Sequence, residues 1–282
     1  MNDALQPLKA ATVDRCPTCA AARVGPFCPQ CGERFLEAHD LNFSHFFRSH
    51  LVHAFFEIDG RVGRSLRLLF IRPGELAQDF VVGRRRRISN PLRLYLVAYL
   101  LHAFIDAVFL RTSETVPEIA RALDPTGLLA KLIASRPEVN WASEIVRLRL
   151  DERVHWLGEL GTFLIFVGVA GVQACIFHKL RRTYVEHITL AVTVSAWFLS
   201  MLILGDALLA TVWHLHPAEA QAVQTWVVLV GLPIYWTFAV RQFYGLAWSV
   251  AAASGLALTL ATACMASFFN VLFLALLIIT AN

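Results

Sequence analysis

Apolar and polar positions divide this chain into three regimes. Residues 1–40 are polar, carry cysteine, proline and glycine, and contain no sustained apolar run. Residues 41–90 set apolar side chains at helical spacing among arginines and histidines. From residue 91 onward the chain is dominated by long apolar stretches.

In the middle regime, a helix over 41–58 gathers Phe43, Phe47, Leu51, Ala54, Phe55 and Ile58 on one face, bordered by Phe46 and His50. Asp59-Gly60 breaks it. Val62, Leu66, Leu69 and Phe70 then accompany Arg61, Arg64, Arg67 and Arg72 in a second, basic amphipathic helix that Pro73-Gly74 ends. A short third helix over 75–82 precedes Gly83. Apolar faces of this kind, edged with arginine, suit helices lying at a membrane interface or packed beneath spans.

A transmembrane helix takes about 20 mostly apolar residues. Stretches near 91–110, 160–177, 188–213, 222–240 and 246–281 qualify. The last is longer than one crossing needs and reads as one span, near 246–270, with an extension. A six-span alternative would split it near 267–270. Arg84, Arg85, Arg86, Arg87 and Arg93 flank the first stretch, Lys179, Arg181 and Arg182 follow the second, and Arg241 follows the fourth, whereas 214–221 has no lysine or arginine. Positive charge concentrates on the cytoplasmic side of membrane proteins. The N-terminus is therefore expected inside, the C-terminus outside, and 111–159 forms an outer loop. Trp213 and Trp226 would mark the outer boundary, Trp236 and Trp248 the inner one. In the outer loop, Pro117 suits a first helical turn, Pro125-Thr126-Gly127 a turn, and Asn140 a cap before Trp141. Pro233 should kink the fourth span.

Composition agrees with this division. Of 282 residues, 57% are hydrophobic and 16% charged, with a mean hydropathy of +0.56; ordinary soluble domains carry about 25% charge. That disfavours a soluble globular enzyme. The net charge of +4 is mild, but residues 1–93 hold 14 Lys+Arg against 9 Asp+Glu, an excess on the cytoplasmic side that attracts anionic lipid. No apolar leader precedes Arg15, so the N-terminal segment is expected to stay in a reducing compartment.

Four of the six cysteines form two CxxC units, Cys16-Pro-Thr-Cys19 and Cys28-Pro-Gln-Cys31, followed by Gly32 and separated by eight residues. Each unit sets two thiolates on one turn, and two facing turns complete a four-sulfur tetrahedral shell, the donor set of structural zinc. Such a closed site leaves no open coordination position and argues against zinc catalysis. So small a segment has no apolar core, and metal binding would supply most of its folding free energy. The histidines His39, His45, His50 and His53 read as surface or interfacial residues rather than a second metal site. Cys175 and Cys264, inside apolar runs, read as small packing residues.

The ordered combination of Cys16, Cys19, Cys28, Cys31 and Gly32, then Arg64 to Pro73-Gly74, then Gly83, Arg85 and Pro91 resembles a family of uncharacterised bacterial multi-pass membrane proteins. These begin with a paired-CxxC zinc ribbon and continue through a Pro-Gly-closed arginine helix and a Gly-x-Arg segment to a proline at the first span. The resemblance covers about 16–100. It implies the zinc site and the membrane topology, and it brings no catalytic residue.

Within the spans, His102 and Asp106 stand one turn apart, and Asp106, Glu159 and Asp206 all fall toward the outer face. Ionisable groups in a bilayer are functional candidates, so these four could form an ion or proton site. No phosphate-binding loop, GxSxG or HExxH is present.

The expected architecture is an all-α integral membrane protein of about five transmembrane helices. A cytoplasmic zinc ribbon (1–40) and basic juxtamembrane helices (41–90) precede the membrane domain (91–282). The expected function is non-enzymatic docking of a partner protein or anionic lipid at the inner face of the bacterial cytoplasmic membrane. The zinc ribbon and Arg61, Arg64, Arg84, Arg85, Arg86 and Arg87 would carry it, and nucleic acid is disfavoured. A small transporter or channel using the outer acids is the alternative, and a membrane-embedded enzyme a weaker one.

Overall fold

The computed structural model describes residues 15–35, 61–109, 127–137, 139, 141, 161, 164–211 and 226–280. The segment 36–60, with the aromatic helix expected over 41–58 and His39, His45, His50 and His53, lies outside the described residues, as do Pro117, Pro125, Thr126, Asn140, Glu159 and Trp213. Among the described residues the chain is mostly helical. It has no β-strand, only the single-residue antiparallel bridges Arg15 to Ala22 and Phe27 to Arg34.

Helix α1 (Arg61–Ile71) and helix α2 (Pro73–Val82) meet at a corner. Pro73 both ends the first and opens the second, since a proline at the first helical position gives up an N–H that would be unpaired anyway. The expected third helix thus starts two residues earlier than Glu75. Gly83 ends α2 at φ 95°. Its N–H donates to Phe80 O at 3.2 Å and the Arg84 N–H to Asp79 O at 2.8 Å, the paired bonds of a Schellman termination. Helix α3 (Pro91–Phe109) again opens on proline; the Asn90 carboxamide caps it by accepting the Leu92 N–H at 3.0 Å. Helix α4 (Leu128–Ala134) lies in the 111–159 segment. Helix α5 (Leu164–Ile176), α6 (Tyr184–Thr211), α7 (Leu232–Tyr244) and α8 (Trp248–Thr280) complete the chain.

Two of these are long and apolar enough to cross a membrane, Tyr184–Gly205 within α6 and Trp248–Leu276 within α8. They differ in burial. The apolar window of α6 is 56% buried and that of α8 only 6%. Helix α6 is the central post. It packs chiefly against α3 and also against α2 and α7, and its Ile188, Leu190, Ala191, Val192 and Val194 are fully enclosed. Helix α8 sits at the side, lying against α7 and α5. A Cβ on Gly255 would come 2.8 Å from the Thr237 backbone N, one on Gly168 2.6 Å from Met265 Sδ, and one on Gly161 2.8 Å from Phe273. Contacts advance on one helix as they retreat on the other, so α5 and α8 run antiparallel. The helix continues without a break through 267–270. Its far end is covered by α4, where Leu129 packs with Leu274 and Ile278 and the Arg136 guanidinium donates to the Ile279 carbonyl.

The proline at 233 follows a π-helical turn over Val227–Gly231, a rare element that occurs mostly as a single turn within α-helices. The side-chain hydroxyl of Thr237 turns back to the Pro233 carbonyl at 2.8 Å. Trp226 and Trp248 are exposed. Trp236, expected with Trp248 near the inner boundary, is enclosed at 2% exposure. Cys175 and Cys264, expected to fill gaps, both lie on exposed helix faces.

Candidate metal centre

The two CxxC units fold as copies of one turn. In the first, the Cys16 N–H donates to Ala21 O at 2.7 Å and the Ala20 N–H to Cys16 O at 2.9 Å. In the second, the Cys28 N–H donates to Glu33 O at 2.8 Å and the Gly32 N–H to Cys28 O at 2.8 Å. The bridges Arg15 to Ala22 and Phe27 to Arg34 flank the two turns at matching offsets. Closing each turn requires a left-handed residue four places after its first cysteine: Gly32 supplies it at φ 67°, Ala20 at φ 60°. Glycine adopts that conformation freely; alanine does so against the clash of its Cβ with the following carbonyl.

The turns face each other and bring all four sulfurs within 4.8 Å of one another. Cys16 Sγ and Cys31 Sγ are 3.5 Å apart, and Cys19 Sγ and Cys28 Sγ are 3.4 Å apart. Disulfides need about 2.05 Å, and all four thiols are free. Thiolates bound tetrahedrally at about 2.3 Å would sit about 3.8 Å apart, inside the observed spread. The donor set and its spacing therefore fit a metal ion held by four sulfurs. Among the described residues this is the one cluster of three or more metal-type ligands. Cys16 and Cys28 are buried against Phe35, with Ala21 and Cys31 packed beside them.

Backbone amides tune the sulfurs. The amide of Cys31, then that of Gln30, bonds to the Cys28 sulfur and pulls this thiol down to about 6. The Glu33 amide favours the Cys31 thiolate, but burial and the crowding sulfurs of Cys16, Cys19 and Cys28 outweigh it and push that thiol up to about 12. At Cys19 the Ala21 amide lowers the value in the same way, yet burial and the Cys28 sulfur leave it raised. The Cys28 thiol is thus the readily ionised one, while Cys19 and Cys31 favour their protonated forms, and a cation bound there would displace those protons.

The arginine run lies beside this centre. Arg84 Nε donates to the Pro17 carbonyl at 2.9 Å, and Arg84 Nη1 pairs with Asp79 at 2.9 Å. Arg87 Nη2 donates to the Thr18 carbonyl at 3.3 Å. The Arg86 N–H donates to the Glu33 carboxylate at 3.1 and 3.2 Å, which also accepts the Thr18 hydroxyl at 2.9 Å. Glu33 is only 3% exposed. Arg85 stacks its guanidinium 4.4 Å from the centre of the Phe80 ring. On α1, Arg64 and Arg67 are exposed beside Leu66, Phe70 and Ile71, while Ser65 and Leu69 turn inward. Arg61 opens that helix.

The ionisable residues of the expected outer site are only partly within view. His102 is half-buried on α3. Asp106 falls on α3 and Asp206 on α6, with side chains outside the described residues. Sequence reasoning overlooked a different polar group, at the α5–α6 connection. Thr183 immediately precedes α6: its N–H and hydroxyl both donate to Glu186 Oε1, at 3.1 and 3.0 Å, and Arg182 pairs with the same carboxylate at 2.8 Å, with side chains 9% and 2% exposed. One residue on, His187 Nδ1 lies 2.5 Å from the Tyr244 hydroxyl, which donates to Gln173 Oε1 at 3.1 Å. The signal for the first half was present as Thr183-x-x-Glu186, a capping-box spacing. Nothing local links Gln173 to Tyr244.

A family described as a protein of unknown function (DUF3667) matches residues 59–102, the segment from the start of α1 to the middle of α3. No curated protein matches the chain, and no solved structure does.

Proposed function

We propose that the four cysteines bind a structural zinc ion and that the resulting ribbon, with the basic helix α1 and the arginine run, forms a cytoplasmic docking module on a multi-pass protein of the bacterial inner membrane. The single observation carrying this reading is the closure of four sulfurs from two matched turns. An all-thiolate set selects a soft or borderline cation, and zinc is the one such ion that commonly serves a purely structural role.

Membrane residence is supported by α8. A soluble protein would bury a helix of this apolarity, whereas Leu256, Leu260 and Phe268 are 54%, 57% and 62% exposed. Lipid is the solvent that such a surface needs. The topology we adopt has five crossings, with α3, α5 and α7 joining the two long helices, and puts the arginine-rich ends inside. The exposed face of α1, mixing Arg64 and Arg67 with Phe70 and Ile71, has the composition of a helix resting on anionic headgroups. Docking of a protein partner rests on the ribbon.

The test is a pull-down from membranes with the full-length chain, set against Cys28→Ser and Cys31→Ser. Loss of the bound partner while the variants still insert supports docking through the ribbon. Recovery of the same partner in equal amount refutes it.

A further inference from the structure

The residues joining the ribbon to the membrane-side helices converge on one turn. The carbonyls of Pro17 and Thr18 accept the guanidinium groups of Arg84 and Arg87, and these two residues lie between Cys16 and Cys19, so any ion held by the thiolates fixes the direction of both carbonyls. Glu33, next to Gly32 and two residues past Cys31, closes the other side, accepting the Thr18 hydroxyl and the Arg86 backbone N–H. Its burial matters. A carboxylate withdrawn from water is tolerable only with such donors in place, and the Thr18 donor comes from the first CxxC turn. From the arginine run the connection continues into α2 through the Arg84 pair with Asp79, and α2 meets α7 without a gap: the Gly74 N–H donates to Gln242 Oε1 at 3.1 Å.

We propose that the first CxxC turn is the ligand of the arginine run, so that metal occupancy of the four thiols governs whether the linker between α2 and α3 is latched. This rests on the metal centre proposed above and goes beyond it by assigning a regulated intramolecular contact. With metal bound, the two carbonyls and the Glu33 carboxylate form a preorganised acceptor set and hold residues 84–87. Without it, a segment whose only core is the cysteines themselves packed on Phe35 and Ala21 loses the turn, the acceptors disperse, and the arginines are released to the surroundings. Linkage makes the effect reciprocal: whatever the latch contributes to the linker it also contributes to metal affinity.

The experiment uses full-length protein in nanodiscs, limited trypsin, and mass spectrometry to follow cleavage after residues 84–87, referenced to cleavage after Lys179. Zinc content is measured on the same samples. Stripping the metal with a chelator should speed cleavage at 84–87 at least tenfold, and returning Zn²⁺ should restore protection. Glu33→Ala, which keeps all four thiols, should be cleaved several-fold faster at full zinc occupancy and should bind zinc more weakly by a similar factor; Glu33→Gln, which keeps an acceptor oxygen, should fall between. Unchanged cleavage after verified metal removal overturns the latch alone, as does a fully loaded Glu33→Ala protein as protected as the parent. Purified protein that takes up no zinc overturns the latch and the metal centre together.

Discussion

Gly74 gives a prediction whose sign and size both follow from the packing. An alanine Cβ there would lie 2.4 Å from Ala239 O, 2.5 Å from Gln242 Cβ and 2.7 Å from Phe243 N. Ordinary contacts begin about 1 Å farther out, and two of the three atoms are backbone, so α2 and α7 must separate. Overpacking of this kind costs about 1–3 kcal/mol. Two of the clashing atoms being backbone, the cost falls at the upper end of that range, about 3 kcal/mol; alanine recovers at most about 1 kcal/mol of it through its helical preference, leaving Gly74→Ala destabilised by about 2 kcal/mol, or a factor of roughly 30 in the folding equilibrium. Gly63, one helix earlier, has nothing within 4 Å of its would-be Cβ among the described residues; Gly63→Ala should therefore stabilise by about 0.5–1 kcal/mol. Unfolding of the two variants in detergent, followed by tryptophan fluorescence against added SDS, measures both. Opposite displacements of the midpoint are expected. Gly74→Ala at or above the parent would refute the close seating of the Pro-Gly corner on α7.

Three further expectations concern the ribbon and the polar connection. Ala20→Gly removes the left-handed strain at φ 60°, worth about 1 kcal/mol, and should slow zinc extraction by a competing chelator about fivefold. Zinc affinity should fall as pH falls from 8 to 6, because the free centre binds more protons than the loaded one, with Cys31 pushed up to about 12 and Cys28 pulled down to about 6; chelator competition at the two pH values reads this, and a pH-independent affinity would contradict it. Glu186→Ala leaves the enclosed Arg182 guanidinium without its partner and should cost about 3–5 kcal/mol in the same SDS titration, while an apolar pair of Arg182→Met with Glu186→Leu should regain most of the loss.

What could be seen in advance was what repeats at short range. The paired CxxC spacing, the Pro-Gly corner, Gly83 and the apolar helices all announce themselves within a few residues, since turns and helix ends are local events. The partners of Arg84 and Arg87 could not be seen. Arg84 meets Pro17 across 67 positions and Arg87 meets Thr18 across 69, and the acceptors are carbonyls, which every residue carries. A run of four arginines before an apolar helix also reads equally well as a topology anchor. Glu33 offers no motif of its own, and its role emerges only when the Thr18 hydroxyl and the Arg86 amide reach it. The same limit applies to Trp236: hydropathy sets its depth along a helix, but its enclosure at 2% exposure depends on the helices that pack against α7, not on its sequence neighbours. Cys175 and Cys264 failed as packing residues for the mirror reason, because small size permits burial without requiring it.

Metal analysis of purified full-length protein bears most directly on the whole account. One zinc per chain, lost on Cys16→Ser or Cys28→Ser while the protein remains in the membrane fraction, is the predicted result. Zinc-free protein prepared without chelator, or zinc retained after a thiol ligand is replaced, would contradict it.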